Sequence, residues 1–208
     1  MNESIQFTFH PEKAIQASAL LLKFKGRRMK YLGLLKMLYI ADRIALERLE
    51  MPIIGDYYFS MKYGPVLSRV YDLIKGKPVG EALSLWTEFI SPRKGYKDSY
   101  ISLLRDPGND ELCQEEEEIL AEVYNRFGHL DPFTVAEWTH ELPEWQQPQP
   151  INSAIPISIE DILHNVGKST SEIEEIRQLT LQEAYFDEVV NARIVNKFGR
   201  YIFNKYSC

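Results

Sequence analysis

Apolar residues recur at helical spacing in one segment after another. Ala14, Ala17, Leu21 and Phe24 share a stripe and predict a helix over residues 11–24. Pro11 suits a first helical position because its missing N–H has no partner there, and Gly26 offers a left-handed exit. Leu34, Leu35, Leu38, Ala41, Ala45 and Leu49 predict a second helix over 31–49, stopped by Pro52, with Lys36, Arg43, Glu47 and Arg48 on its polar face. Residues 53–61 are short, aromatic and bounded by turn formers, which reads as an irregular loop with a short strand. Gly64 then reads as an N-cap and Pro65 as the first residue of a third helix that runs to about Lys75 and closes at Gly76.

Residues 85–90 and 100–104 read as two strands of a hairpin whose turn is SPRKGYKD, and such a ribbon must lie against helices to be stable. A helix from near Cys113 to Phe127-Gly128 carries Glu115 to Glu118 at its positive dipole end. Asp131-Pro132 opens another, bearing Phe133, Val135, Ala136 and Trp138 and ended by Pro143. Residues 146–156 form a proline-rich bridge, and Ser158 caps a short helix that ends at Gly167. Ser171-x-x-Glu174 and Thr180-x-x-Glu183 have capping-box spacing, which predicts two tail helices, the second reaching about Tyr206. The expected fold is mainly α, a compact multi-helix domain with one small β-hairpin near 85–104. Residues 1–166 form that domain and 167–208 a C-terminal helical extension packed on it. The βαβαβ alternation of doubly wound folds is absent.

Composition narrows the function classes. A hydrophobic fraction of 45% and a charged fraction of 26% are globular values, so global disorder is not expected. The net charge of −6 argues against a nucleic-acid partner, which calls for a basic footprint. Cys113 and Cys208 form neither a disulfide framework nor a metal spacing, which suits a reducing compartment. The opening MNESIQFTFHPEKAI lacks a signal-peptide pattern, and no uncharged apolar run approaches the ~20 residues that cross a bilayer. A soluble cytoplasmic protein without a membrane partner is expected.

Candidate chemistry is sparse. Gly167-Lys168-Ser169-Thr170 resembles the end of a phosphate-binding loop, but Ile162 stands where a glycine is required, so helix punctuation is the simpler reading. His140-Glu141 resembles the opening of a zinc-protease motif, but Glu144 occupies the second histidine's place and Pro143 breaks the helix. Asp42, Asp56 and His140 could converge as an acid–base set, a hydrolase-like alternative; structural hydrogen bonding is the reading preferred. No catalytic residue, metal ligand or cofactor is therefore expected. Lys23, Lys25, Arg27, Arg28 and Lys30 form a basic knot that reads first as a solvated loop and second as an anion site. Tyr57, Tyr58, Phe59, Met61 and Tyr63 crowd one short stretch, where alternation buries some and leaves others as interface anchors.

The string LKMLYIADRIAL with IIGDYYFSMKYGPVLSRVYDLI resembles the Panacea domain family of prokaryotes and their phages. THELPEW, from Thr139 to Trp145, is similar to that family's H-x-x-P-x-W element, and PISIEDIL, from Pro156 to Leu163, to its closing helix. The resemblance covers about residues 14–166 and implies a mainly helical antitoxin that neutralises a cognate toxin by direct binding. One branch of the family acts as an adaptor that hands its toxin to an AAA+ protease. The positions that match are Asp42, Gly55, Asp56, Tyr63, Gly64, Pro65, His140 and Trp145, either as scaffold or as partner contacts, with Tyr57 and Met61 beside them. A helix-turn-helix segment found in some relatives has no counterpart here. Beyond the matching region, Phe186, Val189, Val190, Ile194, Phe198 and Ile202 line one side of the tail, and self-packing is expected ahead of toxin or homo-oligomer contact.

Overall fold

The computed structural model describes residues 4–93 and 99–203, with side chains described as far as residue 186. At its centre is α2 (Tyr31–Arg48), which touches α1 (Pro11–Phe24), α3 (Ser68–Ile74), α5 (Gln114–Phe127), α6 (Pro132–His140) and α7 (Ile159–Asn165). Twelve of its eighteen residues are buried, so it has no fully polar face. A helix apolar nearly all round must be wrapped by others, and the segment LGLLKMLYIA has that character. Lys36, expected on the polar face, is instead fully buried.

Two small antiparallel sheets flank α2. β1 (Arg28–Lys30) pairs with β4 (Tyr100–Ser102), placing Arg28 opposite Ser102 and Lys30 opposite Tyr100. β2 (Tyr58–Met61) lies between β3 (Gly64–Leu67) and β5 (Ile155–Ile157). The chain is thus mainly α with small β elements.

The structure corrects several expectations. Residues 85–89 are helical, within α4 (Ala82–Phe89), where Ala82 and Trp86 are buried at four-residue spacing, and Ile90 just beyond the helix is extended. The strand at 100–102 finds β1 as its partner, and one isolated bridge between Ile90 and Leu103 is what remains of the expected hairpin. Gly64-Pro65 does not open α3. Gly64 takes φ +90°, far from the extended conformation of a cap, and closes a two-residue turn between β2 and β3. Pro65 is tolerated because β3 is an edge strand.

The tail is one helix, α8 (Thr170–Phe203). Its capping box is Ser169 with Glu172, through Ser169 N–H to Glu172 Oε2 at 2.7 Å and Glu172 N–H to Ser169 Oγ at 3.3 Å. Thr180 does not break it, since its hydroxyl donates to the Ile176 carbonyl one turn back at 2.8 Å. Ile173 and Ile176 join the core, whereas Tyr185 and Phe186 are exposed. Val189, Val190, Ile194, Phe198 and Ile202 fall outside the described side chains, and Tyr206 outside the described residues. No helix among the described residues is long and apolar enough to cross a membrane.

Candidate functional site

The residues singled out by sequence surround the β2–β3 hairpin. Asp42 projects from α2 into the loop that precedes it. Its Oδ1 accepts the N–H groups of Ile53 and Ile54 at 3.1 and 3.2 Å, and its Oδ2 accepts the Tyr58 hydroxyl at 2.8 Å. Burial pushes this carboxyl up to about 7, against the pull of those three bonds.

Asp56 does similar work fourteen residues on. Its Oδ1 accepts Tyr57 N–H at 2.6 Å and Arg69 N–H at 3.0 Å, and its Oδ2 accepts Val70 N–H at 3.0 Å. Arg69 and Val70 are the second and third residues of α3, and Leu67 at the N-cap position supplies no side-chain cap. Asp56 is therefore the cap of a helix it does not belong to, satisfying orphan donors from across the loop. Burial raises it to about 6, with the three backbone donors pulling the other way.

Two glycines permit close approach. Gly55 has φ +73°, and a Cβ on it would overlap the Thr8 carbonyl oxygen, so the N-terminal segment lies directly on this loop. A Cβ on Gly64 would overlap Thr139 Oγ1 and stand 3.0 Å from Lys36 Nζ. The buried Lys36 ammonium donates to the Pro65 carbonyl at 2.6 Å, and desolvation lowers it to about 7.

His140 ends α6 and stacks on Trp145, with ring centroids 4.0 Å apart and planes at 16°. Trp145 Nε1 donates to the Met61 carbonyl at 3.1 Å, so the His–Pro–Trp element clamps the end of β2. Burial lowers the His140 ring, and the nearby Lys36 charge lowers it further. His140 Nε2 is buried without a hydrogen-bond partner among the described residues. The imidazole is thus grouped with Lys36 and Trp145, while all four oxygens of Asp42 and Asp56 are taken by internal donors. Of the three residues considered as an acid–base set, Asp42 and Asp56 thus bond the loop and helix around the hairpin, and His140 stacks on Trp145.

The aromatic stretch alternates as its strand requires. Tyr58 is buried, Phe59 and Met61 are half-buried, and Tyr57 and Tyr63 are exposed. Arg69 lies 4.5 Å from the Tyr57 ring centroid and 5.2 Å from that of Phe9. Tyr63, in the turn, meets Phe133 of α6 edge to face at 5.8 Å, and Phe133 is itself 52% exposed.

Most of the remaining candidates have internal partners. In the basic knot, Lys23 pairs with Asp106 at 3.0 Å and Lys30 with Asp131 at 3.4 Å, and Lys25 donates to the Gly128 carbonyl at 2.6 Å. Arg28 stacks over Tyr100 at 4.6 Å. Lys168 of the phosphate-loop look-alike bonds Glu50 at 2.6 Å. No group of three metal-ligating side chains occurs among the described residues.

Among the buried polar residues that sequence reading missed, Lys36 and Glu144 bear on this site. Lys36 was signalled by being a lone cation inside the run LLKMLYI. Glu144 accepts Arg43 Nε at 2.8 Å and the Tyr39 hydroxyl at 2.9 Å on one oxygen, and Asn165 Nδ2 at 3.3 Å on the other. It ties the loop after α6 to α2 and α7, and nothing local in sequence marks it.

Buried polar anchors thus fix a short aromatic hairpin whose turn residues, Lys62 and Tyr63, are exposed. The chain belongs to the family described as Antitoxin SocA-like, Panacea domain, whose model matches residues 34–146, more than half its length. The matched span runs from α2 through Trp145 and contains each polar anchor of the hairpin. Comparisons with curated proteins and with solved structures give no significant match.

Proposed function

We propose that this chain is an antitoxin that acts in the cytoplasm of a prokaryotic cell, or one infected by a phage, and neutralises a cognate toxin by direct protein–protein binding. Membership in an antitoxin-like family carries the reading. The geometry supports it: the motif carboxylates are consumed by the fold, while Tyr57, Tyr63 and Phe133 are left at the surface. A few aromatic anchors inside a larger patch supply most of the free energy of a typical interface. The net charge of −6 steers encounter with a basic toxin at long range.

The test is to express the neighbouring open reading frame with and without this chain. Growth arrest relieved by the chain is the expected result, and equal arrest in both cultures contradicts the proposal. Toxin abundance separates masking from delivery. Under masking the toxin persists in a complex; loss that depends on an AAA+ protease assigns the adaptor role instead.

A further inference from the structure

The last helix, α8, is 34 residues long, about 51 Å at 1.5 Å per residue. Ile173, Ile176 and Thr180 are buried against the body, where α7 is its main neighbour. From Leu181 to Phe186 every side chain is exposed, over more than a full turn. The helix runs clear of the body on this stretch, and it carries large apolar groups there. Leu181, Tyr185 and Phe186 are exposed at 39%, 65% and 64%.

Val190, Ile194, Phe198 and Ile202 follow Phe186 at four-residue steps, which places them along one side of the helix. A helix in a protein draws most of its stability from packing an apolar side. Val189, Val190, Ile194, Val195 and Gly199 lower the intrinsic helix propensity of this stretch further. A helix that nonetheless continues to Phe203 calls for a partner along its apolar side.

The distribution of charge names that partner. Glu183, Asp187 and Glu188 stand in the first half of the stretch, and the one cation among residues 170–188, Arg177, is paired with Glu160 and Glu174. Arg193, Lys197 and Arg200 stand in the second half, where residues 189–203 contain no Asp or Glu. A basic partner complements one half and repels the other, and an acidic partner does the reverse. A second α8 laid antiparallel complements both halves at once, and it brings apolar side to apolar side. A parallel copy sets acid on acid and base on base, which opposes association. An antiparallel pair is two-fold and self-complementary, so it closes at two copies.

We propose that residues 181–203 of α8 form an antiparallel interface with the same residues of a second copy of this chain, with the two-fold axis between Glu188 and Arg193. The pairing is independent of the antitoxin reading. Sedimentation equilibrium of the full chain across a dilution series tests it, with two variants alongside. The first reverses the basic half, Arg193→Glu with Lys197→Glu and Arg200→Glu. The second adds Glu183→Lys, Asp187→Lys and Glu188→Lys, so that the two halves exchange sign. Tryptophan emission checks that the body, which holds Trp86, Trp138 and Trp145, stays folded in each.

The unaltered chain should dimerise reversibly to twice its 24.2 kDa. The first variant should associate at least about tenfold more weakly, and the second should recover to within roughly threefold of the unaltered chain. A mass of 24.2 kDa at every dilution of the unaltered chain overturns the proposal and leaves the apolar side to a different protein. A first variant that dimerises as tightly as the unaltered chain overturns it too, and assigns the dimer to another face. A second variant that stays as dissociated as the first overturns the antiparallel pairing and the proposal with it.

Discussion

Asp56 illustrates how one side chain can hold an element it is not part of. Its carboxylate takes three backbone N–H groups, two of them from the first turn of α3. Asp56→Ala leaves those donors without a protein partner, and we expect a loss of about 2–4 kcal/mol in a urea unfolding experiment. Hydrogen exchange should accelerate at Arg69 and Val70 while the middle of α2 stays protected. The buried titratable groups also set a pH profile. Asp42 and Asp56 are raised to about 7 and about 6, so their contribution to stability is greatest below the ordinary carboxylate range and is lost as pH climbs through those values. Lys36 is lowered from 10.5 to about 7, so its contribution is present above its ordinary value and is lost as pH falls toward 7. The summed contribution of these three groups is therefore lowest near neutrality. Asp42→Asn should flatten the acid limb and Lys36→Met the alkaline limb, as read from denaturant midpoints across the range.

At the scale of elements, the β2–β3 hairpin depends on one backbone conformation. Gly64→Ala combines a left-handed φ with overlap on Thr139, and a cost of about 1–3 kcal/mol from strain alone is expected, read from the same unfolding curves. The long periodic helices were legible in sequence: α1, α2 and α5 carry strong apolar repeats with caps or breakers at their ends. The hairpin was not, because Gly-Pro is equally the signature of a helix start, and only the pairing of Met61 with Gly64 decides between them. The helical state of 82–89 was hidden for a related reason. A short apolar run fits either period, and the strand at 100–102 had a better partner far back in the chain at 28–30. Asp42, Asp56, His140 and Trp145 were legible as a constellation but not as to role. For the two carboxylates, what each oxygen holds is seen only in the fold, because most of the donors are backbone N–H groups that a sequence motif does not display.

Over the whole molecule, α2 gathers the other elements, and the polar groups buried against it fix the hairpin's position. Asp42 holds the loop before it and Lys36 holds Pro65, while Glu144 ties the loop after α6 to α2, next to the Trp145 that bonds the Met61 carbonyl. What projects from that frame is the turn, with Tyr63 against Phe133. The most direct measurement is growth rescue from the cognate toxin by a chain carrying Tyr63→Ser and Phe133→Ser, with the melting temperature recorded alongside. Lost rescue at an unchanged melting temperature is the predicted result, and rescue equal to that of the unaltered chain would contradict the account.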